Sequence, residues 1–132
     1  MPLKVTVTKK EEGVFVVSPQ GSIDTETYPV LEKEINSILE QAKKAVILDL
    51  KEVAYVSSMG LSVIFKTKEA LENNGGTIAI INLQPQIKKV FEAIKVLPDY
   101  YFSTMTDAEK YLDDFLTDVQ EKATDKEKQQ DG

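Results

Sequence analysis

Two short, almost wholly apolar runs constrain this chain most. They are Ala45-Val46-Ile47-Leu48-Asp49-Leu50 and Thr77-Ile78-Ala79-Ile80-Ile81. Neither alternates as a strand with one wet face would. Each therefore reads as a strand covered on both faces, which places it inside a parallel or mixed sheet flanked by helices. The segments between and around them carry the helical spacing such a sheet needs.

Leu3, Val5 and Val7 alternate with Lys4, Thr6 and Thr8, a half-buried strand. The turn Lys9-Lys10-Glu11-Glu12-Gly13 leads into Val14 to Val17, so the pair forms an N-terminal β-hairpin. Thr27 is placed as an N-cap, Pro29 sits in the first helical turn, and Tyr28, Leu31, Ile35, Ile38 and Leu39 follow at helical spacing. A second helix is predicted over Ser57 to Asn73, with Leu61, Ile64, Thr67 or Lys68, and Leu71 three or four apart, ending at Gly75-Gly76. A third is predicted over Pro85 to Val96, with Ile87, Val90, Phe91 and Ile94 facing inward and Pro98 as its stop. Tyr100 to Phe102 makes a short edge strand. Thr106-Asp107-Ala108-Glu109 reads as a capping box for a fourth helix bearing Ala108, Tyr111, Leu112, Phe115 and Val119. From Glu121 onward only Ala123 is apolar, too little surface to offset the entropy of ordering. The expectation is an α/β protein with a mixed, largely parallel sheet, an N-terminal β-hairpin and about four helices. One domain spans 1–119, and 120–132 form a disordered or frayed tail of acidic residues and lysines.

What the chain lacks narrows its chemistry. It has no Cys and no His, so thiolate chemistry, zinc fingers and His-activated nucleophiles are excluded. All 16 basic residues are lysines, so no bidentate fork for phosphate or carboxylate exists. With 22 acidic residues the net charge is -6, against the basic face of a nucleic-acid binder. No apolar run approaches the ~18 residues of a membrane helix. Neighbouring acids such as Asp113-Asp114 read as solvated surface, and no phosphate-binding glycine motif occurs. The reading is a cytoplasmic protein that is not an enzyme, with no cofactor, no metal site and no membrane insertion.

One segment stands apart: Tyr55-Val56-Ser57-Ser58-Met59-Gly60-Leu61, where a strand runs into a serine pair and a helix begins. Both serines can simply cap the helix. Alternatively a hydroxyl here is a phosphorylation site, since phosphate is compatible with the free amides and positive dipole of a helix start.

Asp49-Leu50-Lys51-Glu52-Val53-Ala54-Tyr55-Val56-Ser57-Ser58-Met59-Gly60-Leu61 resembles the D-L-x-x-V-x-Y-(I/M)-D-S-(S/T)-G-L signature of the STAS family of anti-sigma factor antagonists. Gly21-Ser22-Ile23-Asp24 with Thr27-Tyr28-Pro29-Val30-Leu31, and the segment Gly75 to Pro85, resemble two further family motifs in the same order. The likeness covers roughly residues 3 to 117. It implies a protein that binds an anti-sigma factor serine kinase when unphosphorylated and is released once a serine at a helix N-terminus is phosphorylated. By position the acceptor is Ser58. Asp24, Thr25, Ser57, Met59, Gly60, Leu61 and Ser62 are its neighbours and candidate partner contacts, and the free protein is expected to be monomeric. Ser57 stands where the family has Asp, Met59 where it has Ser or Thr, Gln84 where it has a Ser cap, and Lys95 where it has Gly. The alternative that the changes at Ser57 and Met59 suit is a constitutive STAS subunit of a signalling scaffold or lipid-transport complex, not phospho-regulated.

Overall fold

The computed structural model describes residues 2–95 and 97–130, with side-chain surroundings to residue 118. Five strands form one sheet in the order β1-β2-β3-β4-β5. They are β1 (Lys4–Glu11), β2 (Val14–Gln20), β3 (Ala45–Asp49), β4 (Thr77–Ile81) and β5 (Tyr101–Phe102). The hairpin β1–β2 is antiparallel, and β2–β3, β3–β4 and β4–β5 are all parallel. Four helices accompany them: α1 (Tyr28–Asn36), α2 (Ser58–Asn73), α3 (Pro85–Ala93) and α4 (Met105–Gln130).

The topology dictates the layering. From β2 to β5 the sheet advances one strand at a time in one direction, with one helix in each crossover. Right-handed crossovers then place α1, α2 and α3 on the same face. Side-chain alternation along each strand serves both faces. Phe15, Val17, Val46, Leu48, Ile78 and Ile80 meet Leu31, Ile35, Val63, Ile64, Leu71, Ile87 and Phe91 in the larger core. Val14, Ala45, Ile47, Ala79 and Ile81 meet Ala108 and Leu112 of α4 in the smaller one. The strands β3 and β4 are thus buried on both sides, as their apolar runs require.

Two helix boundaries and one helix face differ from the sequence reading. Helix α3 ends at Ala93, because Lys95 adopts a left-handed conformation (φ 54°) that turns the chain away; Val96 lies outside the described residues. Only Ile87 and Phe91 of α3 face inward; Val90 and Ile94 are 45% and 54% exposed. Helix α4 starts at Met105, not behind the Thr106 box, because Met105 packs against the smaller core. Thr104 caps it, accepting from Asp107 N at 3.1 Å, and Glu109 pairs instead with Lys10 at 2.8 Å. The α4 backbone continues to Gln130, while its side chains beyond 118 and residues 131–132 lie outside the described residues. The domain limit at 119 stays an expectation.

Candidate functional site

The site lies where the β2–α1 loop meets the start of α2. Ile23 joins them. Its N–H donates to Tyr55 O at 2.9 Å, and its carbonyl accepts from Ser57 N at 2.8 Å. Ile23 and Val56 thereby form an isolated parallel bridge beyond the ends of β2 and β3. The Ser57 N–Ile23 O bond brings the backbone at the start of the Asp24–Thr25 segment to the serine pair.

The two serines are held differently. Ser57 is the N-cap of α2, in extended conformation, and its hydroxyl accepts from Gly60 N at 3.2 Å. It is 8% exposed. Ser58 is the first helical residue, is exposed, and its hydroxyl makes no hydrogen bond among the described residues. Its carbonyl accepts from the Ser62 hydroxyl at 3.1 Å. Because α2 begins here, the amides of Ser58 and Met59 precede the helical ladder, and no acidic residue occupies the first turn.

Gly60 fixes how closely the two segments approach. A Cβ at Gly60 would lie 2.7 Å from Ile23 Cγ2, 2.9 Å from Val56 Cγ1 and 3.1 Å from Ile23 O. Only a residue without a side chain fits. Met59 is 36% exposed, an apolar side chain on the outer surface beside Ser58. Leu61 is half-buried and lines a groove of about 150 Å³ with Tyr55, Gln86 and Val90.

Asp24 is locked by its own loop. Its Oδ1 accepts from Glu26 N and Thr27 N, both at 2.9 Å, and faces the Thr27 hydroxyl at 3.0 Å. The amide bonds from Glu26 and then Thr27 hold its carboxyl below the usual aspartate range, so it stays charged. The expected Thr27 cap is not made: Thr27 has helical backbone and its side chain caps nothing. Its hydroxyl donates to Ser22 O at 2.7 Å and accepts from Asp24 N at 2.9 Å, serving the loop in place of the helix. Thr25 is exposed.

All eight residues singled out in the sequence therefore fall at this junction or within α2's first turns. Two more reach the 51–56 connector: Gln84, noted in the sequence only as a departure from a Ser cap, and Gln86, not noted at all, donate from the start of α3 to the carbonyls of Lys51 and Ala54. Among the described residues no group of three or more acidic side chains could hold a metal ion, and no helix is long and apolar enough to cross a membrane.

The STAS domain family model matches residues 6–108, which contain this whole junction. The chain belongs to the STAS domain family. Among its relatives is the anti-sigma-B factor antagonist of Bacillus subtilis (strain 168), 31% identical over 84 residues, which are 64% of this chain and 76% of that protein. The crystal structure of an anti-sigma factor antagonist from Mycobacterium paratuberculosis is 26% identical, with a TM-score of 0.73 over 83% of this chain and 93% of that one. The anti-sigma factor antagonist SpoIIAA in its unphosphorylated form gives a TM-score of 0.72 at 18% identity, over 83% and 96% of the two chains. Its phosphorylated form gives 0.67 at the same identity, over 83% and 99%. At 18% the likeness to SpoIIAA speaks for the STAS fold alone.

Proposed function

We propose that this chain is a cytoplasmic anti-sigma factor antagonist that binds an anti-sigma factor serine kinase while Ser58 is unmodified and is released once Ser58 is phosphorylated. It acts as a binding switch, monomeric when free, with no catalytic residue of its own. The observation that carries the reading is the division between adjacent serines. Ser57 is buried and its hydroxyl caps α2; Ser58 is exposed with its hydroxyl unengaged. A kinase can take the second without disturbing the helix, whereas the first would have to abandon its cap.

Phosphate on Ser58 brings a charge of about -2 to a helix start, where free amides and the dipole accept it. The chain has no Arg with which to clamp that phosphate and rearrange. The change therefore falls on the partner contact and leaves the fold in place. Burying a double negative charge where a hydroxyl fitted costs several kcal/mol, and ~2.7 kcal/mol is already a hundredfold in affinity.

Phosphopeptide mapping after incubation with Mg-ATP and native-host extract tests the assignment. Phosphate should appear on Ser58; phosphate on Ser57 alone, or on neither, overturns it. Binding then tests the switch: Ser58→Ala holds the partner constitutively, and Ser58→Asp holds it at least about tenfold more weakly. Equal affinity of Ser58→Asp and wild type would favour the constitutive STAS subunit instead, the reading to which the exposed Met59 points.

A further inference from the structure

Residues 51–56 carry the chain from β3 to Ser57 without forming a strand of the sheet. Their carbonyls nevertheless divide between two sides. On the β2 side, Gly21 N donates to Glu52 O at 3.0 Å and Ile23 N to Tyr55 O at 2.9 Å. On the other side β4 has ended at Ile81 and α3 begins at Pro85, so no strand amides face Lys51 and Ala54. Side chains take their place. Gln84 Nε2 donates to Lys51 O at 2.9 Å, and Gln86 Nε2 donates to Ala54 O at 3.1 Å. Gln86 Nε2 also donates to Gln84 Oε1 at 2.7 Å, which ties the two amides together. Neither amide can be turned over, since that would set oxygen against oxygen or nitrogen against nitrogen. Gln84 occupies the N-cap of α3 yet makes no cap hydrogen bond. Its side chain serves the connector and not its own helix.

We infer that Gln84 and Gln86 are positioning residues that stand in for a missing strand neighbour and hold the 51–56 connector where Ser58 is presented to a partner. The inference rests on the proposed role of Ser58. The connector is then gripped from both sides, by backbone amides of the β2–α1 loop and by the glutamine pair. Both glutamines lie at the surface, Gln84 half-buried and Gln86 exposed, so their loss leaves both cores intact. A loosened connector spends only part of its time in the docking geometry, and apparent affinity falls by that fraction. Once docked, the geometry is restored and the phosphoryl-transfer rate is unchanged.

The test uses two variants of the full chain. Gln84→Met with Gln86→Met keeps side-chain length and removes both donors. Gln86→Lys alone keeps donors for Ala54 O and Gln84 Oε1. Amide hydrogen exchange is followed at Gly21, Ile23 and Ser57, whose N–H groups depend on the connector or its bridge. Phosphate incorporation at Ser58 is followed over a range of protein concentrations with Mg-ATP and native-host extract. The double Met variant should lose most of its exchange protection at those amides, because a connector competent only about a tenth to a fifth of the time is open for the rest. It should raise the apparent KM about five- to tenfold with the maximal rate within about twofold, as expected for a reduced docking-competent fraction. Gln86→Lys should match wild type in both. A merely structural role would lower the melting temperature and leave KM alone. Unchanged exchange, an unchanged KM, or a Lys variant as impaired as the Met pair overturns the inference. A wild type that takes no phosphate on Ser58 overturns the proposed function instead, and the exchange data still decide whether the glutamines hold the connector.

Discussion

The starts of α1 and α2 lie side by side at one end of the sheet, joined through Ile23, yet different physics holds each. The start of α1 is held locally and by polar groups: Asp24, Thr27 and Ser22 satisfy one another within five residues. The start of α2 is held at long range and by packing. Ser57 is buried as the cap, and Gly60 is pressed against Ile23 and Val56. A local polar hold depends on solvent conditions and tolerates change in shape. A packed hold without titratable groups is indifferent to pH and tolerates little change in shape. The placement suits a surface that must offer a hydroxyl from a fixed backbone: the packed start carries the serine, and the polar start holds the Asp24 carboxylate on the amides of its own loop.

Breaking the packed start should give the largest effect. Gly60→Ala places a methyl group 2.7 Å from Ile23 Cγ2, so the bridge must open or α2 must shift. Overpacking of this kind costs about 1–3 kcal/mol. Urea denaturation should show a lower midpoint with an unchanged slope. Stability within ~0.5 kcal/mol of wild type would mean that the two helix starts are not tightly apposed.

The serine pair gives the next, smaller contrast. Ser57→Ala removes a cap and should cost about 1 kcal/mol. Ser58→Ala, one residue away, removes an exposed unengaged hydroxyl and should stay within about 0.5 kcal/mol. Ser58→Asp should be neutral to slightly stabilising, by about 0.3–1 kcal/mol, because a negative charge at the first helical turn meets the dipole favourably. Thermal melts of the three variants test the order. Equal losses for Ser57→Ala and Ser58→Ala would erase the distinction on which the assignment of Ser58 depends.

How far the sequence led follows the same division. The two apolar runs told of β3 and β4 because burial on both faces leaves almost no position polar. Ser57 was legible as a cap because its acceptor role involves Gly60, three residues on. The Thr27 cap was misread for a local reason too. Asp24 and Ser22 compete for the same hydroxyl, and the helix loses. Val90 and Ile94 read as inward because helical spacing cannot say which edge of a broad apolar stripe faces the core; in the fold Ile87 and Phe91 take that place. Gln84 stood out in the sequence only as a departure from a Ser cap, and Gln86 carried no sequence signal; neither pointed to the contact the side chain makes. Their partners, Lys51 and Ala54, are 33 and 32 residues away, and side-chain bonds to a backbone carbonyl leave no pattern in residue type.

The polar start should show itself through acid. Asp24 is held charged chiefly by the Glu26 and Thr27 amides, so its carboxyl titrates lower in the folded protein than in the unfolded chain. A depressed carboxylate contributes stability that is complete above the unfolded value, about 3.9, and is lost as pH falls through the folded one. Acidification below about pH 4 should therefore cost wild type more than Asp24→Asn. The Asn side chain still offers an oxygen to both amides and has no proton to gain. Above about pH 5, where the carboxyl is ionised in both states, the difference between the variants should stop changing with pH. Urea midpoints for the two proteins between pH 3 and 6 provide the check, since other carboxylates titrate alike in both and cancel. Parallel curves throughout that range would show that the amides do not favour the charged form. The α1 start would then be held by the Thr27 hydroxyl and backbone alone, and the contrast with the packed start of α2 would lose its electrostatic half.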